Sequence, residues 1–451
     1  MAARAVMTSR IADPNWRAKE MSADAVDVLV VGGGVAGLTA AAYAARGGAR
    51  VTLLEAAIGL GGRARTWEHD GFRFNHGPHA FYLHGAAGQV LGALGIDPPG
   101  APLPLQGAFL LQGDELFPLR GDSAARGARM ALEPGDLASF REASAAIAGG
   151  FQAPPDEPLG AALGRLTPSR PAQALLAAMV RVSTYPDAPN LVSAQAALDQ
   201  LRLSYQGARY LTGGWGRMVE ALAGRARAAG VKLRKESRAG RVEPMRAGWR
   251  VTLACGETIA ARAVVLAVPP RDAAALAPAV VTLRGAAAWT QPVRAASLDV
   301  ALSALPRPDC TWALGLDAPI YFAVHSIGTE LAPPGGAVVH ALRYLRPDGR
   351  VSRSTRRELE SVLDLVQPGW RDLRIREQWL PMATVAYDHP LAGRGGLAGR
   401  CPVVLAPGLF AAGDWVGAVG LLSDAAFASG RLAGEQAAMA SSSVAAAAAM
   451  N

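Results

Sequence analysis

Lysine is nearly missing from this chain of 451 residues: it occurs at Lys19, Lys232 and Lys235, and nowhere after Lys235. Arginine therefore supplies almost all of the 45 basic residues, which set against 37 acidic ones leave a formal charge of +8. The basic residues are scattered among acidic neighbours, with no stripe of interleaved aromatics, and this pattern excludes a nucleic-acid surface. It is compatible with a weakly basic face that makes peripheral contact with an anionic membrane. Cysteine is as scarce. Cys255, Cys310 and Cys401 lie far apart with no C-x-x-C, which excludes a disulfide framework or a zinc knuckle and fits a reducing cytoplasm. The histidines lack the close spacing of a metal site, so no metal is expected. The N-terminus has no continuous apolar stretch of the kind that export signals carry. Residues 28–45 are free of charge, but this is the lower limit for a membrane span, and the glycines at 32–34 would break a lipid-exposed helix. There is no G-x-S-x-G elbow, Ser183, Tyr185 and Asp187 make no hydrolase triad, and no repeat of 20 to 50 residues recurs.

Glycine and apolar side chains are abundant. With 51 glycines and 51% hydrophobic residues the chain can bury large cores and turn tightly, and its length corresponds to roughly three packing units. Val26 to Val31 read as a buried strand, Leu38 to Ala45 as an Ala-rich helix, Gly47 and Gly48 as its stop, and Val51 to Glu55 as a second strand. That is one βαβ unit. Gly32, Gly34 and Gly37 form G-x-G-x-x-G between its first strand and its helix. In that order they allow a tight turn, close approach of the backbone to a pyrophosphate, and close helix–strand packing. Val35 and Ala36 open the helix, whose unpaired N–H groups and positive dipole end favour phosphate. Glu55 ends the second strand, followed by Ala56, where a carboxylate can accept hydrogen bonds from ribose hydroxyls.

The same grammar returns later. WGRMVEALAGRARAAG is an amphipathic helix that follows Gly213 and Gly214, WRVTLAC and AVVLAVPP read as strands, and GLFAAGDW reads as a strand entering a turn before a helix from Asp424 to Ala437. Gly413 lets that strand end pass a bound group closely, and Asp414 is placed to accept a hydrogen bond from a hydroxyl of that group. Leu421, Leu422 and Ser423 start the helix, with Ser423 or Asp424 as its cap. The economical arrangement is a discontinuous nucleotide-binding domain from 23–90, 206–290 and 396–440. A substrate-binding domain from 91–205 and 291–395 is inserted into it, and residues 1–22 and 441–451 are disordered tails.

Just after Glu55 comes GLGGRARTWEHDGFRFNHGPHAFY, in which Gly61, Gly62 and Arg63 would approach a diphosphate from the other side. The glycine fingerprint, then GGR, then GF-x-F-x-x-G, in this order, resembles the flavin amine oxidase and phytoene desaturase superfamily. NHGPHAFY and GLFAAGDWVGAVGLLSDAAFASGR resemble its phytoene-dehydrogenase-like branch. The resemblance implies an α/β fold: a Rossmann-like FAD-binding domain with an inserted α+β substrate domain. It implies noncovalent FAD, because Cys401 lies outside the motif in which some relatives tether flavin. It also places Gly77, Pro78 and His79 near the flavin, Ala239 at a backbone contact to adenine, and the helix start at 421–423 against the flavin pyrimidine, where the dipole stabilises negative charge.

The activity implied is transfer of a hydride from an apolar, polyene or isoprenoid-like substrate to flavin N5, with oxygen or a quinone as the electron acceptor. Amine oxidases of the superfamily typically keep a lysine water-bridged to N5, from the second half of the chain. No lysine follows Lys235, which argues against oxidative deamination. His79 and Arg294 are the only candidates for a catalytic side chain. A redox-neutral isomerase and a protoporphyrinogen oxidase are alternatives on the same cofactor. A prenyl-binding carrier similar to the Rab GDP-dissociation inhibitors is an alternative without one.

Overall fold

The computed structural model describes residues 26–119 and 131–449. The tail expected over 1–22 lies outside the described residues. Strand β1 (Val26–Val31), helix α1 (Val35–Arg46) and strand β2 (Val51–Leu54) form the βαβ unit, with β1 and β2 parallel. The apolar run of β1 is buried from Val28 onward. Its charged residue, Asp27, is paired by Arg50 and Arg262. On the other side of β1 lies β3 (Thr258–Leu266), also parallel. Lys232–Arg234 extends the sheet beyond β2. Beyond β3 come the hairpin Ala239–Met245 and Gly248–Leu253 and, against its last three residues, the strand Leu409–Ala411. This sheet thus draws its strands from three separate stretches of chain. The boundary at 90/91 read from sequence falls inside the helix Ala86–Ala93, and Leu94 and Ile96 beyond it remain in the same core.

The last helix runs from Leu422 to Ala449. It starts earlier and ends later than the Asp424–Ala437 expected, and its alanine-rich continuation, expected to be disordered from 441, is helical to Ala449. Alanine's high helix propensity accounts for this. The helix lies on α1, and two glycines make the approach possible. A Cβ on Gly430 would sit 2.5 Å from the Ala36 carbonyl oxygen, and one on Gly434 would run into the carbonyl of Ala40. α1 is accordingly buried from Ala36 to Ala44, between the sheet and this helix. The contact brings residues 422–423 beside the N-terminal end of α1.

A second sheet is built mainly of antiparallel strands, with β4 (Val293–Leu302) between β5 (Ala337–Tyr344) and β6 (Arg374–Ala386). Ile320–Val324, Trp312–Gly315, Ala108–Gln112 and Glu115–Pro118 continue it beyond β5. Side chains alternate across a strand. Ala296, Leu298, Val300 and Leu302 pack with Leu359, Leu363 and Val366 of the helix Arg353–Val366. The odd-numbered side chains of β4 point to the opposite face, toward the first sheet. The fold is therefore a Rossmann-like α/β domain with a second, inserted α+β domain.

Candidate functional site

A cavity of about 760 Å³ runs from the C-terminal ends of β1 and β2 to the second sheet. This is where open parallel sheets hold ligands. Each glycine of the fingerprint has a separate structural reason. Gly32 has φ +108° and lies against the Ala267 carbonyl, so no other residue fits easily. A Cβ on Gly37 would run into the Gly32 carbonyl oxygen. Gly34 has an ordinary φ of −73° as the N-cap of α1, and a Cβ there would meet no protein atom within 4 Å. The space it would fill is the cavity.

Glu55 is oriented by two backbone N–H groups, Gly33 at 2.7 Å on Oε2 and Ala57 at 2.7 Å on Oε1. Arg63 Nη1 donates to Asp414 Oδ2 at 2.7 Å and to the Val385 carbonyl at 2.6 Å, and its guanidinium lies over the Tyr387 ring. The GGR segment, the C-terminal motif and β6 are therefore locked together by one side chain. Asp414 Oδ1 is buried and has no partner in the chain. A buried carboxylate oxygen without a donor costs about 1–3 kcal/mol or more, so this atom calls for a donor from a bound group. The ribityl or phosphate-flanking hydroxyls of a flavin nucleotide are donors of that kind. The open space at Gly34, the pre-set Glu55 carboxylate and the orphaned Asp414 oxygen together fit such a nucleotide along the cavity.

The cavity brings together Gly32, Gly34, Val35, Ala36, Glu55, Ala56, Gly61, Gly62, Arg63, Gly77, Pro78, His79, Ala239, Gly413, Asp414, Leu422 and Ser423. Gly37 and Leu421 do not line it: both lie in the packing behind it, Gly37 against Gly32 and Leu421 buried at the helix start. Arg294 does not line it either. As an even-numbered residue of β4 it belongs to the face turned away, whereas Ala295 and Ser297 line the cavity. Asp424 does not cap its own helix. Its Oδ1 accepts the Ala87 N–H at 2.7 Å and so caps the helix Ala86–Ala93. Burial raises the Asp424 carboxyl to about 6. Cys401 is buried away from the cavity with its thiol pushed up to about 12, and none of the three cysteines lines the cavity.

Several lining residues carry no sequence signal. Tyr387, Thr384, Ser297 and Leu342 come from the second sheet, and Tyr185 ends the helix Arg170–Thr184. Trp215, next to the paired glycines 213–214, packs on the His79 ring at 5.1 Å. Tyr185 and Leu422 both have positive φ, 75° and 53°. Strained non-glycine residues of this kind concentrate at ligand sites. Among the described residues there is no cluster of three or more metal-ligating side chains, and no helix is long and apolar enough to cross a membrane.

Residues 30–94 match the family described as NAD(P)-binding Rossmann-like domain. The chain is 60% identical over 57 residues to a carotenoid 3,4-desaturase of Haloarcula japonica, a stretch that covers 13% of this chain and 11% of that protein. It is 40% identical over 67 residues to a phytoene desaturase of Cercospora nicotianae, covering 15% of this chain and 11% of that protein. Among solved structures, cyclohexylamine oxidase from Brevibacterium oxydans superposes with a TM-score of 0.64 at 17% identity, covering 92% of this chain and 98% of that one. The family match and the local identity to desaturases both fall on short stretches, so the chain spans about a tenth of the length of these curated relatives, and the whole-chain likeness to solved structures is one of fold.

Proposed function

We propose that the chain is an FAD-dependent oxidoreductase of the desaturase type, acting on an apolar, polyene or isoprenoid-like substrate. The observation that carries this reading is the buried Asp414 oxygen without a partner, in the same cavity as the open Gly34 position and the pre-oriented Glu55. Glu55 would hold the adenosine ribose, Gly34 and the α1 N-terminus the diphosphate, Ala239 the adenine edge, and Asp414 with residues 422–423 the flavin end. Bound FAD supplies a two-electron centre that accepts hydride.

The chain's own residues supply the surroundings. Ala295, Leu342, Ala383 and Val385 give the substrate end an apolar wall that orients a hydrocarbon chain and excludes water. Burial lowers the His79 imidazole to about 4, so it stays neutral at pH 7 and adds no charge to that wall. No lysine follows Lys235 to serve amine oxidation. The desaturase relatives support the substrate class, and oxygen or a quinone completes the reaction as electron acceptor. Any membrane contact is peripheral, which salt extraction tests.

The test is anaerobic mixing of FAD-loaded protein with isoprenoid polyenes. Bleaching of the flavin absorbance, with a product two hydrogens poorer by mass spectrometry, supports a desaturase. Tight binding of polyene without bleaching would instead make the chain a carrier.

A further inference from the structure

Around the turn Gly77–His79, at the substrate end of the cavity, three polar side chains converge. Tyr185 Oη lies 2.7 Å from the Pro78 carbonyl oxygen. His79 Nδ1 lies 2.9 Å from the Gly77 carbonyl oxygen. Ser297 Oγ, 4.0 Å from where a Cβ on Gly77 would stand, hydrogen-bonds the buried Asp299 carboxylate. A carbonyl or carboxylate oxygen can only accept, so in each pair the side chain donates. Each has one proton to give in its neutral form, and each has already given it to the protein. The hydroxyl of Tyr185, the Nε2 of neutral His79 and the hydroxyl of Ser297 are left with lone pairs alone.

The surrounding chain enforces this arrangement. Asp299 is fully buried, and it is also held by His340 Nδ1 at 2.8 Å and Gln378 Nε2 at 2.9 Å, so it is fixed as the acceptor for Ser297. Tyr185 keeps its place with a backbone φ of 75°, a conformation that costs a non-glycine residue free energy.

A group of acceptors with no proton left to give selects a donor. We propose that this end of the cavity recognises a hydroxyl group on an otherwise apolar substrate, a specificity that rests on the function proposed above. A cationic amine is a donor too, but the nearby carboxylate, Asp299, is fully buried and does not line the cavity, so an ammonium there would lose water without reaching it. The lining carboxylates Glu55, Asp272 and Asp414 are not part of this cluster, and Asp414 is paired with Arg63. Among the described residues no lining carboxylate stands at this end to pair directly with a positive charge, so a neutral hydroxyl is the occupant.

The experiment is calorimetric titration of the FAD-loaded protein with geraniol, with the hydrocarbon of the same carbon skeleton, and with geranylamine. The expected result is geraniol binding about fivefold or more tighter than the hydrocarbon, as one or two neutral hydrogen bonds would give, with geranylamine weaker than geraniol. Tyr185→Phe and His79→Phe each keep a ring in place. Each should reduce the preference for geraniol without weakening the hydrocarbon, and Ser297→Ala gives a third readout should either variant fold poorly. Equal affinity for geraniol and hydrocarbon, an equal loss for both ligands in every variant, or tighter binding of geranylamine would overturn the proposal. Heat of binding is measured without turnover. A protein that prefers the alcohol yet never bleaches would therefore contradict the redox reading alone, and one that bleaches with polyenes but ignores the hydroxyl would contradict only this inference.

Discussion

Gly34→Val separates cofactor binding from folding. In the native chain Gly34 has φ −73°, which valine adopts, and no protein atom stands within 4 Å of the added Cβ. Exchanging glycine for valine at an N-cap costs no more than about 1 kcal/mol, which in a domain of this size moves the melting temperature by about 2–4 °C. The added methyl groups occupy the path by which a diphosphate reaches the α1 N–H groups. Losing two charge-assisted hydrogen bonds at about 1.5–3 kcal/mol each weakens binding by at least about a hundredfold. Gly37→Ala is the contrasting control: its Cβ would collide with the Gly32 carbonyl, so it should cost folding itself about 1–3 kcal/mol or more. The assay is thermal melting of the cofactor-stripped proteins, beside FAD titration followed by fluorescence quenching. A Gly34→Val protein that binds FAD as tightly as the parent would refute the reasoning, as would one that cannot fold without cofactor.

The remaining predictions concern the supports of the site. Asp424 is raised from the ordinary 3.8 to about 6, so between about pH 4 and 6 this group holds more proton in the folded chain than in the unfolded one, and its contribution to stability falls as pH rises through that window. Asp424→Asn should remove that contribution and, by keeping an oxygen for the Ala87 N–H, stabilise the protein at pH 7 by up to about 3 kcal/mol; denaturant melts of parent and variant at pH 4, 5, 6 and 7 check this, and a stability difference between them that does not change with pH would contradict it. Gly434→Ala should push the last helix off α1, lowering stability by about 1–3 kcal/mol and FAD affinity with it; calorimetry and titration should move together, and a variant with native FAD affinity would break the link. Asp414→Ala leaves the Arg63 guanidinium without its carboxylate partner, and should lower the melting temperature and FAD occupancy together.

Much of the nucleotide half was legible because its chemistry is local. Gly32, Gly34 and Gly37 sit at fixed spacing between a buried strand and a helix, and Glu55 ends the next strand. The Arg63–Asp414 contact joins motifs 351 residues apart, and both motifs could be read separately although their contact could not. The substrate end was opaque for the opposite reason. Ser297 and Leu342 reach the cavity through strand alternation and sheet order, and β4 is so uniformly buried that its pattern does not say which face is which. The same ambiguity made Arg294 a candidate although its face is turned away. Asp424 misled because a carboxylate at a helix start ordinarily caps that helix, while here a neighbouring helix reaches it first. Gly430 and Gly434 are unfavourable inside a helix, and it is their contact with α1 that accounts for them.

In the function proposed above, the fingerprint near one end and the AAGDW segment near the other grip one FAD along its length. The direct measurement is the stoichiometry of flavin released by denaturing the purified, full-length protein, read by absorbance and chromatography. Close to one intact FAD per chain should be set free, without cleavage of a covalent bond. A folded, colourless protein that takes up no FAD when it is supplied in excess would contradict it.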